Sequence, residues 1–190
     1  LSPGRPALET IAASHGVASD TAFGAVTPPL YMSSTYTFEG YDQPRAHDYG
    51  RSGNPSRDLL ADALAKLEGG AGAVITSSGM AAIDLLLGQF GPDDLVLAPH
   101  DCYGGTYRLL NARAERRQFQ VVFVDQSNDR ALDTALEDVP ALVLIETPSN
   151  PLMRIVDIAA IAAKAKSAGA AVAVDNTFLS PALQRPLTLG

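Results

Sequence analysis

Apolar residues recur at two different spacings along this chain, and the change between them marks its organisation. After Asn54-Pro55, the residues Leu59, Leu60, Ala63, Leu64 and Leu67 fall three to four apart, the repeat of one helix face, until Gly69-Gly70 interrupts it. Asn54 is a good capping residue, and Pro55 falls where a missing N–H does no harm, so a helix is predicted between them and the glycines. Downstream, short apolar runs alternate with helical patterns. Strands are predicted at 73–76, 95–98, 121–124, 142–145 and 172–174, and helices at 80–90, 106–117, 132–137 and 158–167. The strand runs are nearly pure Val, Ile, Leu and Ala, as expected of strands covered on both faces. Such alternation predicts a parallel sheet between helices, a three-layer α/β/α domain.

Residues 1–53 have a different texture. Pro28-Pro29, Tyr31, Tyr36, Phe38, Tyr41 and Tyr49 concentrate rigid and aromatic groups in a stretch with little periodicity. Such a stretch cannot build a core of its own and is expected to wrap over another surface, of this domain or of a partner subunit. The predicted division is therefore a wrapping segment, 1–53, and an α/β domain, 54–190. The total of 190 residues suits one large domain.

Charge and composition narrow the function. The net charge of −7 has no compensating basic stripe, so a nucleic-acid partner is not expected. The apolar runs at 141–145 and 170–174 are far shorter than the ~20 residues that cross a bilayer. A single cysteine, Cys102, gives no disulfide framework and points to a reducing, cytoplasmic compartment. His100 and Asp101 are too near it in sequence to establish a triad, so a packed thiol is the expected role. His15, His47 and His100 lack metal-ligand spacing, and no metal site is expected.

In open α/β sheets, ligands bind at the carboxyl ends of the strands. The turn Thr76-Ser77-Ser78-Gly79-Met80 opens directly into a helix; it reads either as an ordinary cap or as a cradle whose free N–H groups hold a phosphate. The turn at 99–105 presents Tyr103, which either stacks on a flat ligand or packs. The loop at 146–151 holds two prolines and Asn150, and by itself reads as a rigid loop. Asp175 ends an apolar strand, where a carboxylate is costly to bury unless a cation or donor meets it; the alternative is a cap for the helix at Ser180-Pro181-Ala182. A phosphate cradle, an aromatic ring and a carboxylate at one sheet edge suit a planar heteroaromatic phosphate with a protonatable ring nitrogen. Pyridoxal 5'-phosphate (PLP) fits that description.

Four stretches carry a resemblance: Pro44-Arg-Ala-His-Asp-Tyr-Gly-Arg-Ser-Gly-Asn-Pro55, His100-Asp-Cys-Tyr-Gly-Gly105, Glu146-Thr-Pro-Ser-Asn-Pro151 and Val174-Asp-Asn-Thr-Phe-Leu-Ser-Pro181. In this order they resemble the Cys/Met-metabolism PLP-dependent enzymes, over nearly the whole chain. The resemblance implies a type I aminotransferase-like fold, PLP as cofactor, amino-acid substrates and a homotetramer of two catalytic dimers. It implies that Gly79 and Met80, with Ser78 beside them, hold the cofactor phosphate. Tyr103 would stack on the ring and assist proton transfer, and Asp175, with Thr177 nearby, would pair with the ring nitrogen. Asn150 would meet the substrate carboxylate or the ring hydroxyl, and Tyr49 and Arg51 would reach a neighbouring subunit's phosphate. The implied reaction is γ-replacement on an O-acylhomoserine by cysteine to give cystathionine, with the family's lyase and sulfhydrylase reactions as alternatives. Phe178, where some β-lyases carry tryptophan, points away from that branch.

The departure concerns lysine. PLP chemistry of this kind uses one to hold the cofactor, and Lys66, Lys164 and Lys166 all fall in predicted helices. The resemblance puts the cofactor lysine downstream of a Leu-Gly like Leu189-Gly190. The expectation is thus a piece of a longer enzyme, without the lysine-bearing strand or the C-terminal domain, trimmed at Leu1 as well, and inactive by itself. Two readings from other classes compete. Asp101 lies about 20 residues after the first turn, where a dinucleotide-binding domain keeps its ribose-binding acid, although Ser77-Ser78-Gly79 is not G-x-G-x-x-G. A non-catalytic subunit that has lost its lysine is the other.

Overall fold

The computed structural model describes residues 6–190; the first five positions of the predicted wrapping segment lie outside the described residues. The chain forms two compact units, Leu1–Ile75 and Thr76–Gly190. The boundary falls after α2 (Pro55–Glu68) rather than before it, because this helix packs on α1 (Leu8–Ser14), a short helix that the sequence patterns did not reveal. Capping of α2 is as predicted: Asn54 Oδ1 accepts the N–H groups of Ser56 (2.9 Å) and Arg57 (3.4 Å), Pro55 opens the first turn, and Gly69 closes the helix at φ 76°. Apolar burial in this first unit is slight. Ala65 is its one buried apolar side chain among the described residues, while Phe23, Met32 and Tyr41 are almost fully exposed.

The second unit is the α/β layer. Four parallel strands, β1 (Leu95–Pro99), β2 (Gln120–Val124), β3 (Leu142–Glu146) and β4 (Ala171–Asp175), lie in the order β2-β1-β3-β4. They alternate with α3 (Gly79–Leu87), α4 (Gly104–Glu115), α5 (Asp129–Leu136) and α6 (Ile158–Ser167), as predicted. Side chains alternate between two cores. Val96, Ala98, Leu142 and Leu144 meet Leu87 of α3 and Leu110 of α4 on one face; Leu97, Val143 and Ile145 meet Leu132 of α5 and Ile161 of α6 on the other. No described helix is long and apolar enough to cross a membrane.

Two expectations need correction. Residues 73–76 form no strand, and Val74 is 74% exposed. An apolar run becomes a strand only by hydrogen bonding to a neighbour, and none of the four strands pairs with it. Burial on both faces is likewise confined to the central strands β1 and β3. The edge strands β2 and β4 have half-buried and exposed positions, because each has a single neighbour.

Candidate active site

The strand order reverses at β1, since the chain runs outward to β2 and then returns to the other side as β3. Ligands of open α/β sheets bind in the crevice at such a point, and the carboxyl ends of β1, β3 and β4 meet the start of α3 there around a cavity of about 300 Å³. That size lies at the lower end for small-molecule sites, roughly 300–1,000 Å³.

One end of the cavity is the N-terminus of α3. Ser78 Oγ accepts the N–H of Ala81 (3.1 Å), and its carbonyl accepts the N–H of Ala82 (3.1 Å) and the hydroxyl of Thr76 (2.9 Å). Ser78 is therefore a helix cap, and that role leaves the N–H groups of Gly79 and Met80 without a protein partner among the described residues. Both face the positive end of the helix dipole. A Cβ on Gly79 would touch nothing within 4 Å, so the space over this turn is open to an anion.

Tyr103 forms a wall of the cavity just before α4, with its side chain half exposed. Its ring lies where only a glycine permits. A Cβ on Gly105 would come within 2.5 Å of Tyr103 Cε1 and 2.9 Å of Met80 Sδ. Because both neighbours are ends of mobile side chains, Gly105→Ala is expected to change stability by less than about 1 kcal/mol while moving the ring off its seat. Loss of a stacking contact of ~0.5–1.5 kcal/mol should weaken PLP binding about two- to tenfold, measured by titration beside a thermal melt. A large loss of stability with unchanged binding would contradict this.

Asp175 also lines the cavity, at the end of β4. Its Oδ1 accepts both the N–H (3.0 Å) and the hydroxyl (2.5 Å) of Thr177, and no described residue hydrogen-bonds Oδ2. The helix-cap alternative fails here: α7 (Ser180–Leu183) follows Leu179 and has no side-chain cap. Asn150 and Phe178 also line the cavity.

Sequence reasoning overlooked Glu146. It ends β3 beside Asp175 in the register, and it is 7% exposed. Its Oε2 accepts the N–H of Tyr103 and its Oε1 the N–H of Asn150, both at 2.8 Å. Burial pushes its pKa up, while these two bonds pull it down. The argument applied to Asp175, a carboxylate closing an apolar strand, would have found it. Behind it, Asp101 Oδ2 accepts the hydroxyl of Ser149 (2.7 Å), which ties the turn after β1 to the loop after β3. Asp101 thus has a partner inside the fold, and it is not among the residues that line this cavity.

Tyr49 and Arg51 belong to the N-terminal unit and are not among the residues lining this cavity; there the Arg51 guanidinium lies over the Tyr49 ring at 5.0 Å. Cys102 is buried, and burial with the nearby charge of Glu146 pushes its pKa up to about 12. Native protein at pH 8 should therefore react with iodoacetamide on the order of a thousandfold more slowly than unfolded chain, whose thiol has an ordinary pKa of about 8.5. Rates within tenfold of each other would contradict the packed-thiol reading. Among the described residues no lysine lines the cavity: Lys66 pairs with Asp62, and Lys164 bridges Asp129 and Asp133.

The donors present fit PLP. Two free N–H groups suit its phosphate, a flat side chain suits its ring, and an acceptor-only carboxylate suits its protonated nitrogen.

Comparison with known proteins agrees. The profile of the Cys/Met metabolism PLP-dependent enzymes matches residues 9–190. The chain is 57% identical over 182 residues to cystathionine gamma-synthase of Escherichia coli, covering 95% of this chain and 47% of that protein. It is 41% identical over 175 residues to a cystathionine beta-lyase of Lactococcus lactis, covering 92% and 46%. Among solved structures, a cystathionine gamma synthase from Xanthomonas oryzae pv. oryzae, in complex with aminoacrylate and cysteine, superposes with a TM-score of 0.97 at 53% identity, over 98% of this chain and 49% of that one. The chain thus spans about half the length of the relatives it matches. The family profile over residues 9–190, together with these identities and the shared fold, shows that the chain belongs to the Cys/Met metabolism PLP-dependent enzyme family.

Proposed function

We propose that this chain supplies the cofactor site of a cystathionine γ-synthase-like enzyme. Such an enzyme replaces the acyloxy group at Cγ of an O-acylhomoserine by the sulfur of cysteine, releasing the acyl group as a carboxylate and giving cystathionine. The observation that carries this reading is the convergence of Gly79, Met80, Tyr103, Asn150 and Asp175 on one cavity. The higher identity to the γ-synthase than to the β-lyase favours γ-replacement over elimination.

PLP, when bound, supplies an electron sink for charge developing at the substrate's α-carbon. The residues of this chain then divide the remaining work. The N–H groups of Gly79 and Met80, next to Ser78, hold the phosphate and anchor the cofactor. Asp175, oriented by Thr177, keeps the ring nitrogen protonated, because its negative charge makes loss of that proton unfavourable. The Tyr103 ring stacks on the cofactor, and its hydroxyl carries a proton to and from the reacting atoms. The Asn150 amide orients the substrate carboxylate or the ring hydroxyl. Tyr49 and Arg51 reach the phosphate of a neighbouring subunit in a homotetramer, a role supported by the exposed apolar side chains around them in sequence. A cytoplasmic location goes with this biosynthetic role.

The reaction is tested on protein of the relatives' full length that contains this sequence. With PLP, an O-acylhomoserine and cysteine, cystathionine is expected to accumulate. Release of pyruvate and homocysteine from cystathionine, with no γ-replacement, would assign the β-lyase reaction instead.

A further inference from the structure

The cavity's two polar walls come from different loops. Tyr103 belongs to the turn after β1 and Asn150 to the loop after β3, 43 positions before and 4 positions after Glu146. Loops that meet only through side chains at their tips drift relative to each other, since loops open locally more easily than strands. Here the last residue of a central strand removes that freedom. β3 is buried along its whole length, so the Glu146 backbone is fixed, and its carboxylate divides its oxygens between the two loops, one N–H at 2.8 Å each.

We propose that Glu146 is the positioning residue of this site: its one carboxylate sets the backbones of Tyr103 and Asn150 relative to each other, so that ring and amide address the same ligand. This rests on the PLP reading for the identity of that ligand, but not for the clasp itself. A buried carboxylate suits the task better than its amide. It offers acceptors on both oxygens, whereas Gln would turn an NH₂ group toward one of two N–H donors. It is also less tolerant of loss, because truncation leaves two backbone donors unmatched in a buried place. Distance explains why no shorter residue serves, since Asp at 146 would fall a methylene short of one loop or the other.

A second tie runs between the same two loops, from Ser149 Oγ to Asp101 Oδ2 at 2.7 Å, with Ser149 Oγ also accepting the N–H of Arg154 at 3.2 Å. It bypasses the Tyr103 and Asn150 amides, which makes it the control for general loosening.

The test combines amide hydrogen exchange, read by NMR on the purified chain, with titration by PLP. In Glu146→Gln, exchange at Tyr103 or Asn150 is expected to rise at least tenfold, while the amides of Val143 and Leu144 keep their wild-type rates. PLP affinity should fall about tenfold. Glu146→Asp, which keeps the charge, should release one of the two amides and retain the other; it serves as well if the Gln variant folds poorly. Ser149→Ala should leave the Tyr103 amide protected. Unchanged exchange at both amides in Glu146→Gln, or the same pattern in Ser149→Ala, would overturn the proposal. If the amides respond as expected but wild-type protein does not take up PLP, the cofactor reading falls and the clasp stands. If wild type and Glu146→Gln bind PLP equally, the clasp does not position the site.

Discussion

Replacing Asp175 with alanine is expected to weaken PLP binding roughly 10- to 150-fold. A hydrogen bond to a charged group is worth about 1.5–3 kcal/mol, and each ~1.4 kcal/mol is tenfold in affinity. The loss falls on binding and not on folding. Asp175 is half-buried at the end of an edge strand, and the two bonds it accepts come from Thr177, two residues away. Removing the side chain therefore strands no distant donor. Asp175→Asn should fall in between, because it keeps an acceptor but not the charge that holds a proton on the ring nitrogen. Titration of wild type and both variants, monitored by fluorescence or calorimetry, gives the ranking. Equal affinities in all three would remove the ring-nitrogen contact from the account.

The largest expected effect on stability comes from Leu97→Ala, which should destabilise the α/β unit by about 2–5 kcal/mol. Leu97 is fully buried in a central strand and projects into the core shared with Leu132, Leu136, Ile158 and Ile161. The surroundings cannot collapse into the space it leaves, since β1 is flanked by β2 and β3 and covered by helices. In urea, with a slope of ~1–3 kcal/mol/M, the midpoint should move down by about 1–3 M. Leu97→Met keeps the volume and should lose less than about 1.5 kcal/mol. A shift of the alanine variant smaller than that of Leu60→Ala, at a half-exposed position of α2, would contradict this view of the core.

The α/β alternation was legible because periodicity reports burial directly. The spans of β1, β3 and α6 emerged within a residue of the strands and helices predicted. Residues 73–76 show the limit of that signal: their composition matches a buried strand, but pairing is a property of the neighbour and not of the run. The α1 helix, seven residues with no buried side chain, had too few turns to display a period. Within the site, the cavity unites Ser78, Gly79, Met80, Tyr103, Asn150, Asp175 and Thr177, because each follows a strand or opens a helix at the same sheet edge. Glu146 shares with Asp175 the legible mark of a carboxylate closing an apolar strand, but its partners are the backbone N–H groups of Tyr103 and Asn150, and backbone donors leave no trace in a sequence. Gly105 was equally silent: it is required by the place of the Tyr103 ring and not by any backbone angle.

The central claim is that PLP occupies the cavity between α3 and the ends of β1, β3 and β4. Titration of ¹⁵N-labelled protein with PLP, with every amide followed by NMR, tests it most directly. Saturable shifts at Gly79, Met80, Tyr103, Asn150 and Thr177, with the amides around Lys66, Lys164 and Lys166 unmoved, are the predicted result. Shifts confined to the neighbourhoods of those three lysines, with the cavity silent, would mean that the aldehyde had merely reacted with surface amines, and would contradict the account.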